Sequence, residues 1–329
     1  MTRAAAPAPA SPFAVAAALL VVYVVWGSTY LAIAIMIESL PPLLSAGVRY
    51  ASAGLLLTAF LVARARWRSS HPDAEPMERP NAAHWRSALI VGTLLLLGGN
   101  GGVVLAELYI PSGVAAVLVA TVPIWLSVFD AIVTRQRPGG LVIAGLVAGI
   151  VGVAVLLVPV EGLGQLDPLG VGLVVVAAIS WAAGSLYARQ APLPRSGLLG
   201  TGMEMIAGGA VLVLAGSALG EIGRADPSAF TARSLLALAY LIVFGSILAF
   251  SAYTWLLAHA PVATVGTYAY VNPIVAVALG SVFLSEEITP RTLIATAIIV
   301  GAVVAMMSGR PRQVEEVGPA PEAASAEAD

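Results

Sequence analysis

Two ionisable side chains stand inside long apolar runs, where a charge is unfavourable. Arg49 and Glu204 lie in the segments 42–64 and 197–219, and each is followed five residues later by a glycine. An arginine at the centre of a membrane helix costs roughly 2.5–3.5 kcal/mol on insertion scales, so Arg49 needs a partner in the protein interior. A carboxylate in a dry cavity can carry a proton, which makes Glu204 a candidate proton-coupling or cation site. The alternative interpretation of Glu204 is a structural acid bonded to neighbouring hydroxyl or amide groups.

Aromatic and amide side chains accompany these two residues. Asn100 stands among four glycines in residues 98–102, which permit close helix packing or a loosened helix beside a cavity. Pro273 interrupts helical bonding, and the neighbouring Asn272 adds a second amide. Such side chains suit amphipathic solutes and organic cations, whereas an interfacial aromatic belt is the alternative. The predicted substrate cavity consists of Trp26, Tyr30, Arg49, Asn100, Pro123, Trp181, Tyr187, Glu204, Tyr253, Tyr268, Tyr270, Asn272 and Pro273.

The remaining titratable residues offer no catalytic or metal chemistry. Glu107 and Asp130 stand near the ends of apolar segments and are predicted to lie at the membrane interface. The chain has no cysteine and three histidines, and no two histidines have metal-ligand spacing. We therefore predict no metal site, no catalytic residue and no cofactor. The net charge of −2 argues against a nucleic-acid surface.

The composition requires a bilayer around most of the chain. Of its 329 residues, 59% are hydrophobic and 10% are charged, against roughly 25% charged in a soluble domain. A helix needs about 20 apolar residues to cross the hydrocarbon core. Ten segments qualify, which predicts an all-α integral membrane protein. They are 13–37, 42–64, 86–108, 112–134, 140–159, 168–188, 197–219, 234–257, 262–284 and 291–308.

The arginines predict the orientation of these segments. With the N-terminus in the cytoplasm, twelve of the sixteen arginines fall on the cytoplasmic side and three on the other, and Arg49 lies within a segment. The positive-inside rule therefore favours cytoplasmic N- and C-termini, in a bacterial inner membrane. Residues 1–12 and 309–329 are rich in alanine and proline and are predicted to be disordered, the C-terminal tail being acidic.

The two halves of the chain resemble each other. A Gly-Ser-x-Tyr sequence occurs at 27–30 and again at 184–187, and Pro123 recurs as Pro273, 150 residues later. Each half holds five predicted helices, so the second half must cross the membrane in the opposite sense. Inverted repeats are typical of transporters with a substrate site between the halves. An old duplication in a membrane enzyme or a receptor is the alternative.

Several of these motifs together resemble a known family. Residues 26–30, 40–42 and 46–50 look like the start of an EamA-type repeat of the drug/metabolite transporter superfamily, and residues 111–116, 120–123, 180–181 and 268–273 strengthen the match. The resemblance implies a ten-helix exporter with inverted repeats at 13–159 and 168–308. It also implies a central cavity from helices 1–4 and 6–9, with export driven by proton exchange or by the substrate gradient.

One departure from the wider superfamily bears on proton coupling. The small four-helix relatives carry an essential glutamate in their first helix, whereas the first helix here has no acid before Glu38 at its outer end. Glu204 is the substitute candidate for that role.

Two alternatives to export stay open at this stage. A membrane enzyme acting on lipid or isoprenoid phosphates would need paired acids or a His/Asp constellation, and no two acids at membrane depth have helical spacing. Within transport, an importer or an exchanger is possible. The partners we predict are a small-molecule substrate, the lipid bilayer and protons as coupling ion, in a monomer or a homodimer.

Overall fold

Helices form the framework of this chain. A computed structural model describes residues 11–68, 78–135, 140–157, 166–260, 262–265 and 267–308, and within these ranges there is no strand. The apolar helices of the described residues are α1 (Pro12–Ile37), α2 (Pro42–Arg68), α3 (Ala82–Ala106), α4 (Ser112–Thr134), α5 (Gly140–Leu157), α6 (Pro168–Ala188), α7 (Gly197–Ala218), α8 (Ala232–Tyr240, Leu241–Leu248 and Ala249–His259), α9 (Tyr268–Leu284) and α10 (Pro290–Ser308).

Seven of these helices are long and apolar enough to cross a membrane, namely α1 to α4 and α6 to α8. The other three contain shorter apolar stretches of 10–17 residues. The chain is therefore a membrane protein, as the composition predicted. The ninth predicted segment began at residue 262, but α9 begins at Tyr268 because Val262–Val265 forms a separate helical turn.

Local sequence explains where several helices begin. Proline occupies the first position of α1, α2, α6 and α10, where its missing N–H has no helical partner to lose. Ser11 caps α1 by accepting a hydrogen bond from the Ala14 amide at 3.2 Å, so Ser11 and Pro12 belong to ordered structure. The rest of both predicted disordered termini, residues 1–10 and 309–329, lies outside the described residues.

The most extensive helix contact among the described residues joins α2 to α7. Gly47 and Gly54 of α2 face Gly209 and Gly202 of α7. A Cβ atom added to Gly54 would lie 2.7 Å from the Gly202 carbonyl oxygen, and one added to Gly209 would lie 2.5 Å from the Ala51 amide nitrogen. The absent side chains therefore let the two backbones touch, as small residues do in membrane helix pairs.

The other main contacts arrange the remaining helices around this pair. Helix α5 packs on α10, and α4 packs on α9. Helix α1 contacts α8 and α9, whereas α6 contacts α3 and α4.

Two helices contain a π-helical stretch. Residues Thr93–Gly101 of α3 and Leu241–Leu248 of α8 adopt this wider winding, which is rare and frequent at functional sites. Widening changes which backbone carbonyls are bonded within the helix. Ser180 of α6 donates a hydrogen bond to the Leu94 carbonyl at 2.8 Å, so the α3 stretch is tied to a neighbouring helix.

Two carboxylates, of Glu221 and Glu286, hold the starts of α2 and α4. Glu221 accepts hydrogen bonds from the amides of Leu43 and Leu44, at 3.1 and 2.8 Å. Glu286 accepts from the amides of residues 112 and 113, at 2.8 and 3.1 Å. The residue before each glutamate has a positive φ, +78° at Gly220 and +55° at Ser285, which turns the chain back across the helix start. Each carboxylate thus satisfies amides that have no partner within the helix.

Candidate functional site

A cavity of about 120 Å³ lies among α1, α2, α3, α4, α6, α8 and α9. An engineered cavity of about 150 Å³ in another protein binds benzene, so the space suits a small solute. The structure brings nine of the thirteen predicted residues together on its wall: Trp26, Tyr30, Arg49, Asn100, Pro123, Trp181, Tyr268, Asn272 and Pro273. Helix α7 contributes no lining residue, although the resemblance implied that it would.

Arg49 is the one charged side chain among the described residues that line the cavity. The residue is 3% exposed, and its Nε donates a hydrogen bond to the Ser246 hydroxyl at 3.0 Å. Its guanidinium carbon lies 4.5 Å from the centre of the Tyr50 ring. Of the three guanidinium nitrogens of Arg49, Nε alone has a hydrogen-bond partner among the described residues. The terminal nitrogens are therefore available to an anionic group of a solute.

Gly245 makes room for this guanidinium. A Cβ atom added there would lie 3.3 Å from an Arg49 terminal nitrogen and 3.1 Å from the Thr29 methyl group. Gly245 and Ser246 both lie in the π-helical stretch of α8, so that stretch supplies the space and the hydroxyl acceptor for Arg49. The position of the positive charge depends on this irregular helix.

An aromatic cluster forms a second wall. The Trp26 ring lies 5.2 Å from the Phe250 and Tyr268 rings, in both cases edge to face, and 5.1 Å from the Tyr253 ring. The Trp26 indole nitrogen donates to the Gly245 carbonyl at 3.3 Å, which fixes the orientation of the indole. Edge-to-face pairs stabilise such clusters by about 0.5–1.5 kcal/mol each beyond the area that they bury. This wall is largely apolar.

Amides and close helix contacts complete the site. The Asn100 side-chain nitrogen donates to the Leu95 carbonyl at 3.4 Å, within the π-helical stretch of α3. A Cβ atom added to Gly98 would lie 2.0 Å from the Ser180 hydroxyl, and one added to Gly99 would lie 2.8 Å from the Trp181 ring. These glycines therefore bring α6 close to α3 and place Trp181 at the cavity.

The comparison with known families decides the class of protein. The model of the EamA-like transporter family matches residues 13–158 and 168–308. The chain belongs to the EamA-like transporter family. The resemblance inferred from the motifs is thereby confirmed. The family is one of transporters, which indicates a membrane transporter rather than a membrane enzyme.

Several individual proteins resemble this EamA-family chain along most of its length. The uncharacterized inner membrane transporter YedA of Escherichia coli (strain K12) is 40% identical over 299 residues, covering 89% of this chain and 90% of YedA. The uncharacterized transporter YvbV of Bacillus subtilis (strain 168) is 25% identical over 291 residues, covering 87% and 90%. A crystal structure with 20% sequence identity matches with a TM-score of 0.59, covering 90% of this chain and 96% of the other, which indicates the same fold.

Four predicted site residues of this EamA-family transporter do not line the cavity. Tyr253 packs behind the wall, 5.9 Å from the Tyr268 ring, and Tyr270 packs against the buried residues Ile124 and Val303. Tyr187 lies near the end of α6. Glu204 lies on α7, whose backbone at this position contacts Gly92 of α3. Its role in proton coupling stays a prediction.

Glu107 is the ionisable residue whose surroundings sequence reasoning missed. It was expected at the membrane interface, but both of its carboxylate oxygens are buried and have no hydrogen-bond partner. Its charged neighbours are Arg49 and Glu286. One signal was present in the sequence: the residues that follow Glu107 are Leu108, Tyr109 and Ile110, which do not make a polar connection.

Proposed function

We propose that this transporter exports small amphipathic metabolites, such as amino acids and related compounds, or toxic organic compounds, by alternating access. The observation that carries the proposal is the small cavity among seven helices with one buried cation, Arg49, on its wall. An anionic group of the solute would bind Arg49, and its apolar body would pack on the aromatic cluster around Trp26. An importer or an exchanger that uses the same cavity is the competing form of transport.

The proposed mechanism needs two inverted five-helix repeats that rock around the cavity. The main helix contacts support this arrangement. The repeat pairs each helix with the helix five positions away in chain order, so α1 corresponds to α6, α3 to α8 and α4 to α9. The contacts of α1 with α8 and α9 then correspond to those of α6 with α3 and α4. The same correspondence maps the pairs α2–α7, α4–α9 and α5–α10 onto themselves.

Two irregular features recur with the repeat and support it further. The π-helical stretches begin at Thr93 and Leu241, 148 residues apart. The positive-φ residues that end α4 and α9, Arg135 and Ser285, are 150 residues apart. The excess of arginine on one side of the predicted segments favours both termini in the cytoplasm, and the inner-membrane location of the relative YedA agrees with a bacterial inner membrane.

The charge of the cavity argues for an anionic or zwitterionic solute rather than an organic cation. Aromatic rings attract cations, but a buried guanidinium with free terminal nitrogens repels them at close range. In a site of low dielectric, a positive charge requires a counter-ion. A carboxylate on the solute supplies one and matches the guanidinium geometry.

Spent medium provides the test of export. Cells that express the wild type are compared with cells that express Arg49→Gln at matched membrane abundance. Arg233→Gln is the control. Arg233 is an exposed arginine outside the cavity, and its Nη1 lies 3.5 Å from Glu38 Oε1. We expect a small set of carboxylate-bearing metabolites to accumulate outside with the wild type and the control only. Accumulation inside the wild-type cells would favour import, and equal media in all three strains would refute the export proposal.

The binding of matched probes tests the assigned site without knowledge of the natural substrate. Benzoate, benzamide and benzylamine have nearly the same size but carry a negative, no and a positive charge. Calorimetry with the purified full chain should give the tightest binding for benzoate, and Arg49→Gln should remove its advantage over benzamide. Preference for benzylamine would contradict the role of Arg49.

A further inference from the structure

Glu107 is a buried acid that the proposed transport mechanism does not yet use. It follows directly after α3, where its amide is bonded to the Val103 carbonyl at 3.0 Å. Both side-chain oxygens are buried without a hydrogen-bond donor. An ionised carboxylate in such a place is strongly destabilised unless a cation compensates it, and a protonated one is not. The charge of Glu107 therefore depends on its neighbours.

Three groups, each from a different element, interact electrostatically with Glu107. Tyr30 of α1 and Arg49 of α2 are close enough to interact with it electrostatically, and both also line the cavity. Glu286, in the segment after α9, is the third neighbour. The carboxylate of Glu286 is bonded to two amides at the start of α4, which stabilise its negative charge. Glu107 thus has one cation that favours its ionised form and one anion that opposes it.

We propose that Arg49 exchanges counter-ions during transport, with Glu107 balancing it in the empty cavity and the anionic group of the solute balancing it in the loaded cavity. When the solute binds, Glu107 takes up one proton from the aqueous phase, and it releases that proton when the solute leaves. This proposal gives the coupling role to Glu107, in place of the Glu204 that the sequence suggested. This inference rests on the proposed function, because it requires an anionic solute at Arg49.

The exchange follows from the balance of charges around one guanidinium. A second anion beside Arg49 weakens the attraction that Arg49 exerts on Glu107, and it adds repulsion of its own. Solute and proton then bind cooperatively, and linkage requires each to strengthen the binding of the other equally. A monovalent solute anion and a proton would cross together without net charge. Efflux of an accumulated organic acid by this route is driven by the gradient of the acid itself and carries protons outward.

Infrared spectroscopy tests the titration of Glu107 without any ligand. The full chain in lipid nanodiscs is titrated from acid to alkaline pH, and the loss of the protonated carboxyl C=O band is followed. Glu107→Gln should lack a band that the wild type, Glu38→Gln and Glu204→Gln retain. Glu38 is a matched control because it is 41% exposed and pairs with Arg233 outside the cavity. A complete set of bands in Glu107→Gln, or a band missing only in Glu204→Gln, overturns the proposal.

Calorimetry in two buffers of different ionisation enthalpy tests the exchange itself. Benzoate binding to the wild type should take up a substantial fraction of one proton, and its affinity should fall up to about tenfold for each pH unit above the transition. Glu107→Gln should bind benzoate with no proton uptake and a flat pH profile. Glu286→Gln removes the opposing anion and should move the transition to lower pH.

The outcomes separate this inference from the proposed function. Wild-type binding of benzoate without proton uptake overturns the exchange and leaves Arg49 as the anion site. Absence of benzoate binding overturns the anion site and the exchange with it. Proton uptake that persists in Glu107→Gln but vanishes in Glu204→Gln assigns the coupling to α7 and overturns the role of Glu107.

Discussion

The contact between α2 and α7 predicts a large effect of a single added methyl group. In Gly209→Ala the new Cβ would lie 2.5 Å from the Ala51 amide nitrogen and 2.9 Å from the Gly47 carbonyl oxygen. Ordinary contacts of this kind begin at 3.4 Å, so the deficits are 0.9 and 0.5 Å. Both obstructing atoms belong to the backbone of α2 and cannot rotate away. The two helices must separate along their contact.

The magnitude follows from two opposing terms. Overpacking of this severity costs about 1–3 kcal/mol, and the rigidity of both contacts favours the upper end. Alanine returns about 0.5–1 kcal/mol over glycine in a helix. We therefore expect Gly209→Ala to destabilise the fold by about 1–2 kcal/mol. Thermal unfolding of the detergent-solubilised chain, followed by tryptophan fluorescence, measures the change.

A matched substitution makes this test decisive. Gly172 lies in α6, and a Cβ added there meets nothing within 4 Å. Gly172→Ala keeps the gain in helix propensity without the clash, so it should be neutral or stabilising. Equal stability of the two variants would refute the inference that α2 and α7 are in backbone contact at Gly209.

Three further substitutions test the cavity and the capping carboxylates. Trp26→Leu removes aromatic contacts worth about 0.5–1.5 kcal/mol each, so benzoate and benzamide should both bind roughly 3–10-fold more weakly; an effect on benzoate alone would contradict an apolar role. In Gly99→Ala the new Cβ would lie 2.8 Å from the Trp181 ring, so the ring must move. Overpacking costs about 1–3 kcal/mol and about 1.4 kcal/mol corresponds to a factor of ten, so calorimetry should show roughly tenfold weaker probe binding or more. Glu221→Ala leaves two amides at the start of α2 unpaired and should lower the unfolding free energy by about 1–2 kcal/mol, with Glu221→Gln less affected; equal unfolding of all three proteins would refute the capping role.

Sequence reasoning reached the membrane class, the family and most of the cavity because each of these leaves a strong chemical signal. Arg49 was identified because a cation in an apolar run is unfavourable without a reason. Trp26 and Trp181 were identified because the repeat placed them at corresponding helices. These signals depend on residue type and spacing, which the chain carries directly.

The surroundings of other residues could not be predicted, because they depend on the direction in which a helix turns and on distant segments. Glu204 looked as significant as Arg49, but the face that α7 presents to its neighbours cannot be read from hydropathy when most faces are apolar. Glu107 stands at the end of an apolar run, as an interfacial acid does. The elements near it include the segment that holds Glu286, 179 residues later, so no local pattern could predict its surroundings.

The π-helical stretches of α3 and α8 also have a consequence for movement. A wide turn can travel along a helix by exchanging one backbone hydrogen bond at a time, and each residue that it passes rotates by about 100°. Asn100 and Ser246 stand within these stretches and could be turned toward or away from the solute without a hinge in either helix. The cavity wall would then open and close through the rotation of these two side chains. Such a gate opens by a sequence of small exchanges and never leaves a broken helix facing the hydrocarbon.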